Sequence, residues 1–398
     1  MKPIVVVHHH EITLKGNNRH FFEGHLRKNI RTALTGFIEE RSISGGYGRF
    51  FISLSSDADF PAVVERLKYV FGIANICAGY RVAQDIGVLG STAVRLLQTE
   101  KFTSLRVDTR RPDKRFPVPS MEVNRIVGGV LCSTFGVRAD MMHPDVTVYI
   151  EIIDGDAVIY TSKTRGACGL PVGVSGTVVG LLSAGFDSPV ACWQLIRRGA
   201  RVMFVHFHSM PYTGRQSVEQ VRELAAILTK YQFRSKLYLV PFAPLQQEIV
   251  LHSPQPLRVI LYRRMMIRVA EEIAGSEGAE ALVTGEAVGQ VASQTLRNIR
   301  VINDVAHLPI LRPLAGMDKE GTMAMAREIG TYDVSKEPFD DCCSFLAPRR
   351  PETWASPASV REAESALNIA ELVRGTVGQA EVESFVSPST EIPEPAGP

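Results

Sequence analysis

Ser183-Ala184-Gly185-Phe186-Asp187-Ser188 joins an apolar, β-branched run, Thr177-Val178-Val179-Gly180-Leu181-Leu182, to a helix-like stretch that opens at Pro189. A strand, a loop of small residues and a helix start form an anion site, because backbone N–H groups and the helix dipole face the same point. Proline suits a first helical turn. The hydroxyls of Ser183 and Ser188 add donors, and the Asp187 carboxylate is the kind of single ligand that magnesium takes beside phosphate oxygens. An ordinary strand-to-helix turn also favours Ser, Gly and Asp, so the loop by itself is ambiguous. Two adjacent thiols, Cys342 and Cys343, follow Asp340 and Asp341 and stand close to Arg349 and Arg350. Nucleophilic sulfur must be a thiolate, which accessible, electropositive surroundings favour. Cys77, Cys132, Cys168 and Cys192 lie in apolar or helical settings, where cysteine is usually a small buried hydrophobe. The densest basic run is Arg110-Arg111-Pro112-Asp113-Lys114-Arg115. It reads as a solvated loop or as a phosphate-contacting one. His8, His9 and His10 are consecutive; on a strand their side chains alternate between faces, so they do not converge on one metal ion.

These groups need a scaffold to position them. The 398 residues exceed one ordinary core, so two or three domains are expected. A composition of 45% hydrophobic and 22% charged residues is that of a globular protein. The longest apolar runs fall far short of the roughly 20 residues of a membrane span. The start, Met1-Lys2-Pro3-Ile4-Val5-Val6-Val7, reads as a strand and not as a signal peptide. Six cysteines in such a chain are expected to be reduced thiols in the cytoplasm. The net charge of +2 hides an asymmetry: residues 351–398 hold two Lys/Arg against eight Asp/Glu, so the body is mildly basic and the end acidic. A mildly basic body is compatible with nucleic-acid binding.

Along the chain, residues 1–57 read as a small α+β unit with strands near 4–7 and 49–54 around a helix near 19–34. Residues 58–165 read as a second unit, with helices near 59–70, 87–98 and 120–135. Its strands lie near 104–109, 146–152 and 157–160, the last two turned by Asp154-Gly155-Asp156. From about 176, strands near 177–182, 202–206, 236–240 and 281–284 alternate with helices near 189–198, 218–231 and 257–274. That alternation predicts an α/β fold with a doubly wound parallel sheet, whose ligands bind at the carboxyl ends of strands. The catalytic unit is placed at 166–350. Residues 351–398 are expected to be a short helix near 359–373 and then a disordered, Pro-rich, dispensable acidic tail.

The loop at 183–188 resembles the S-G-G-x-D-S loop of ATP pyrophosphatases, with Ala184 where glycine is usual, and it lacks the Walker pattern. Further segments agree in order and spacing: Glu11-Ile12-Thr13-Leu14-Lys15-Gly16-Asn17-Asn18-Arg19, Thr284-Gly285-Glu286, Gly289 to Leu296, Leu311-Arg312-Pro313-Leu314 and Asp341-Cys342-Cys343. Together they resemble the tRNA 4-thiouridine synthetase (tRNA sulfurtransferase) family over about residues 4–350. The resemblance implies a ferredoxin-like domain, a THUMP RNA-binding domain and a pyrophosphatase-loop domain that resembles adenine nucleotide alpha hydrolases. It implies ATP and Mg2+ as cofactors. The implied reaction is adenylylation of uridine 8 of tRNA followed by sulfur transfer, with a second role in making the thiazole of thiamine. For ATP it implicates Leu181, Leu182, Ser183, Ala184, Gly185, Ser188, His206, Phe207, Arg263, Gly285 and Gln294, with Asp187 as catalytic residue and magnesium ligand. Cys343 is the expected sulfur carrier, with Cys342 as the alternative or the resolving thiol. Lys15, Arg19, Arg110, Arg111, Lys114 and Arg115 are the expected tRNA contacts. A cysteine desulfurase or another persulfide donor, and a homodimer, are implied as partners. The C-terminal rhodanese domain of some members is not expected in this chain. Two other readings remain: a pyrophosphatase-loop ligase acting on a small molecule, and a non-catalytic tRNA-binding protein.

Overall fold

The computed structural model describes residues 1–39, 41–55, 59–340, 342, 346–348 and 350–388. The chain forms two compact units that divide between Leu170 and Pro171. No described helix is long and apolar enough to cross a membrane.

The first unit is built on one continuous sheet of nine strands. Its path runs Ile43–Gly46, Arg49–Ser53, Lys2–His8, Asn75–Ala83, Asp156–Tyr160, Val146–Ile153, Ser104–Arg110 and Arg138–Ala139, with Thr164–Arg165 against Asn75–Ala83. Lys2–His8 pairs antiparallel with Asn75–Ala83 from Lys2 opposite Arg81 to His8 opposite Asn75. The boundary expected at residue 57 therefore cuts across elements that share a sheet. Helices Ile86–Leu97 and Ser120–Phe135 close the core with Leu89, Leu97, Val123, Val127 and Leu131 against Val107, Val148, Ile150 and Ile152. Strand Lys2–His8 ends at the first of the three consecutive histidines, and the first two point to different partners. His8 Nε2 lies 2.9 Å from Glu151, whereas His9 packs on Phe50 with ring centroids 5.5 Å apart.

The second unit carries a six-stranded sheet in the order Ile310–Leu311, Ala281–Val283, Thr177–Leu181, Arg201–His208, Arg234–Pro241, Glu381–Val386. All neighbours are parallel except the last pair. Val179, Val205, Val240 and Leu282 bury one face against helix Arg258–Glu277, whose Leu261, Met265 and Val269 are wholly enclosed. Arg264 is only 2% exposed and its charge is met by Glu364 at 2.7 and 2.8 Å, which ties that helix to Pro357–Glu364.

The end of the chain departs from expectation. Instead of one helix near 359–373 followed by a disordered tail, there are two helices, Pro357–Glu364 and Ile369–Gly378, and then strand Glu381–Val386. The strand pairs antiparallel with Arg234–Pro241, and Arg222 forks onto Glu383 at 2.6 and 3.0 Å. Its acidic residues read as a solvated tail, yet one of them has a fixed counter-charge. Residues 389–398, the remainder of the expected tail, lie outside the described residues.

Candidate nucleotide-activation site

Strand order places the loop at 183–188. From Thr177–Leu181 the chain continues to Arg201–His208 and Arg234–Pro241 on one side, then returns to Ala281–Val283 on the other. The carboxyl end of the central strand is therefore the topological switch point, where helices on opposite faces leave a crevice. Residues 183–188 begin there, and helix Asp187–Arg197 leads away with its N-terminus at the crevice. The loop is tied on itself: Ser183 N–H donates to Ser188 Oγ at 2.8 Å, and the two hydroxyls lie 3.0 Å apart. A second layer braces it, with Ser335 Oγ donating to the Gly185 carbonyl at 3.3 Å and the Phe186 ring against Tyr332 at 5.2 Å. Ala184 is fully buried and is not among the residues with positive φ. Alanine thus fits this position without strain.

Gly285 follows strand Ala281–Val283 and packs on the helix start. A Cβ there would meet Ser188 N at 2.6 Å and Asp187 C at 2.7 Å, distances that backbone atoms cannot tolerate. What approaches Gly285 is the phosphate loop's own helix.

These elements enclose a cavity of ≈ 480 Å³, within the range of small-molecule sites. Leu181, Leu182, Ser183, Gly185, Asp187, Ser188, His206, Phe207, Arg263, Gly285, Gln294 and Cys342 all line it. Ala184, wholly buried, does not. Cys343 lies outside the described residues. Cys342 is 9% exposed, and its carbonyl accepts from the buried Gln246 amide at 2.8 Å.

Among the described residues that line this cavity, His206 Nε2 and Gln294 Oε1 are buried polar atoms without a hydrogen-bond partner. Burial lowers the His206 pKa to about 4, so the ring is neutral at pH 7. Its Nδ1 lies 2.9 Å from the Leu182 carbonyl, which can only accept. The proton therefore sits on Nδ1, and Nε2 presents a lone pair. Gln294 Oε1 is an acceptor as well, so both atoms suit an N–H donor such as the exocyclic amine of adenine.

Glu286 was not singled out from sequence, yet it organises the opposite wall. Its Oε1 accepts from Arg263 at 2.8 Å, and its Oε2 from Arg312 at 2.7 Å and the Thr284 hydroxyl at 3.0 Å. Burial pushes the Glu286 pKa up, but the two guanidinium groups and the hydroxyl more than offset it, and the carboxyl stays below its ordinary range. Gln290, also unforeseen, donates to Asp187 Oδ2 at 2.9 Å.

The expected RNA-contacting residues all lie in the first unit and divide by what they touch. Arg110 and Lys114 are exposed. Arg111 donates to the Phe116 carbonyl at 2.7 Å and the Val118 carbonyl at 3.3 Å, so it holds the loop's shape. Arg115 is paired with Asp113 and Asp154. Arg19 stacks over Tyr47 at 4.1 Å, and Lys15 sits 5.1 Å from the Phe22 ring.

A phosphate-binding loop at the switch point of a doubly wound sheet, with neutral acceptors beside it, defines a pyrophosphatase-loop nucleotide-binding domain. Family models for thiamine biosynthesis protein (ThiI), the ThiI ferredoxin-like domain and the THUMP domain match residues 173–369, 4–77 and 83–162. A probable tRNA sulfurtransferase of Moorella thermoacetica is 40% identical over 379 residues, covering 95% of this chain and 96% of its own. One of Thermus thermophilus is 38% identical, covering 97% and 94%. A 4-thiouridine synthetase crystallised with RNA and ATP superposes with a TM-score of 0.89 at 33% identity, over 97% of this chain and all of that one. The chain belongs to the ThiI family of tRNA sulfurtransferases.

Proposed function

We propose that this chain is an ATP-dependent tRNA sulfurtransferase that converts uridine 8 of tRNA to 4-thiouridine. The observation that carries the reading is a single cavity lined by the phosphate loop, by His206 and Gln294, and by Cys342. Nucleotide activation and sulfur delivery then share one space. The adenine amine donates to His206 Nε2 and Gln294 Oε1, Phe207 packs beside the base, and the loop amides hold the phosphates. The Asp187 carboxylate would hold a Mg2+, an ion that binds through one or two carboxylates plus substrate oxygens. When bound, it would supply positive charge that stabilises the pyrophosphate leaving group. Uracil O4 attacks the α-phosphorus, pyrophosphate departs, and C4 becomes electrophilic with AMP as its leaving group. The terminal sulfur of a cysteine persulfide, loaded by a cysteine desulfurase or another persulfide donor, attacks C4 and AMP leaves. The remaining sulfur–sulfur bond is cleaved by a thiol, giving a disulfide that an external reductant returns to thiols. Cys343 carries the persulfide, with Cys342 as the alternative carrier or the resolving thiol.

The test incubates the chain with unmodified tRNA, ATP, Mg2+ and a protein persulfide donor, and measures 4-thiouridine and pyrophosphate. Asp187→Ala should release no pyrophosphate while binding tRNA normally. Cys343→Ser should still release pyrophosphate but make no 4-thiouridine unless inorganic sulfide is added. Failure of the unaltered chain to make either product would overturn the reading.

A further inference from the structure

The wall of the nucleotide cavity continues outward onto an exposed surface that combines an indole with cationic side chains. Gln294 lines the cavity, and two residues later helix Leu296–Asn303 begins with Leu296 69% exposed and Arg297 in water. Pro351 also lines the cavity, and three residues later Trp354 is 68% exposed. The Arg297 guanidinium lies 4.9 Å from the Trp354 ring centroid. Arg300 and Arg350 are exposed in the same two segments.

The indole is held out in water by a rigid support. Asn298 is fully buried, and its amide donates to the carbonyls of Glu352 and Ala292 at 2.8 Å each while accepting from Ala355 N–H at 3.1 Å. Thr295 Oγ1 donates to the Thr353 carbonyl at 2.9 Å, and Arg297 Nε to the Ala355 carbonyl. One amide therefore fixes both the turn that bears Trp354 and the turn at 291–294 that lines the cavity. An aromatic side chain left largely exposed gives up hydrophobic stabilisation. On a pinned backbone beside arginine it makes a stacking platform, since every nucleobase has a π-face and guanidinium groups neutralise the adjoining phosphates.

We propose that Trp354 and Arg297 form a docking surface for an unstacked nucleotide of the substrate RNA that flanks the reacting uridine. This rests on the tRNA sulfurtransferase reading and adds an RNA contact carried by the second unit itself. A base stacks on the exposed indole, and its phosphates lie against the neighbouring arginines. The occupant is RNA because the surface pairs aromatic area with cations and continues into the cavity where the reacting base must arrive. A uridine entering that cavity has to leave its own stack, and a protein platform at the mouth compensates for the stacking it loses.

The experiment uses the full chain and unmodified tRNA. The sequence holds two tryptophans, and the other, Trp193, is 4% exposed. The difference in emission between the chain and its Trp354→Phe variant therefore isolates Trp354 with Trp193 undisturbed. Saturating tRNA is expected to quench that component. Trp354→Ala should raise KM for tRNA about tenfold or more, as removal of one base–aromatic stack does, with kcat and ATP affinity unchanged. Trp354→Phe should restore KM, and the defect should be equal with inorganic sulfide and with a protein persulfide donor. An unquenched Trp354 with tRNA bound, or an unchanged KM in Trp354→Ala, would overturn the proposal. So would a defect seen only with the protein donor, which would assign the surface to that partner. In each of those cases the unaltered chain still makes 4-thiouridine, whereas absence of product from it would remove the underlying reading as well.

Discussion

Gly285 shows how little room the site leaves for change. Its neighbours within 3 Å of an added Cβ are backbone atoms of Asp187 and Ser188, which cannot swing aside as a flexible side chain would. Gly285→Ala should push the phosphate loop off its strand at an overpacking cost of about 1–3 kcal/mol. Calorimetric titration with ATP should show affinity down about tenfold while circular dichroism stays unchanged; equal affinity would show that the loop accommodates the methyl. Gly285, His206 and Phe207 were legible in sequence because each falls at the end of a readable strand, where this fold gathers its ligands. Glu286 was not. Its importance arises from Arg263 and Arg312, far apart in sequence, converging on one buried carboxylate. No local pattern encodes such a meeting. The tautomer of His206 was equally hidden, since the Leu182 carbonyl that sets it lies just past the end of the neighbouring strand Thr177–Leu181.

Helix Ser120–Phe135, with its helical spacing, and strand Thr177–Leu181, an apolar β-branched run, were readable, whereas strands with neither such a run nor a plain alternation were missed. Asn75–Ala83, central to the first sheet, contains Gly79, and a Cβ there would strike the Ile159 carbonyl at 2.2 Å. The residue that the packing demands is the one that erases the strand signal. Glu381–Val386 has no plain alternation either, and its Glu381, Glu383 and Ser384 on an edge strand resemble a solvated tail, although Glu383 is half-buried and the apolar Val382 and Val386 are exposed. Ending the chain after Gly378 removes this strand and the Arg222–Glu383 pair. The melting temperature should fall by about 5 °C or more relative to a chain ending at Pro388, with more light scattering on heating. Identical melting would mean that the strand contributes nothing to the sheet.

At the scale of the molecule, the expected RNA contacts and the nucleotide cavity belong to different compact units. The sequence marked this division through a change of rhythm near residue 176, where regular alternation of strands and helices begins. It did not show which cations of the basic run are available. Arg115 already faces Asp113 and Asp154, and Arg111 is committed to carbonyls. The double change Arg110→Ala, Lys114→Ala should therefore reduce the slope of log affinity for tRNA against log salt by about 1 to 2. Arg115→Ala should change it little, and Arg111→Ala should lower thermal stability instead. A slope unaffected by the double change would move the phosphate-contacting surface away from this loop.

Strand Arg234–Pro241 acquires its outer neighbour late in synthesis. Roughly 140 residues separate it from Glu381–Val386, so at ribosomal rates the gap between their emergence is on the order of ten to thirty seconds. During that interval one flank of the parallel sheet is an open hydrogen-bonding edge, available to a neighbouring nascent chain on the same polysome. The antiparallel strand therefore closes that edge, and the two helices before it set where it lands. Ribosomes that stall between Pro357 and Gly378 would yield chains that have already made the phosphate loop but remain unsealed, and these are the products a cell's chaperones would be expected to hold.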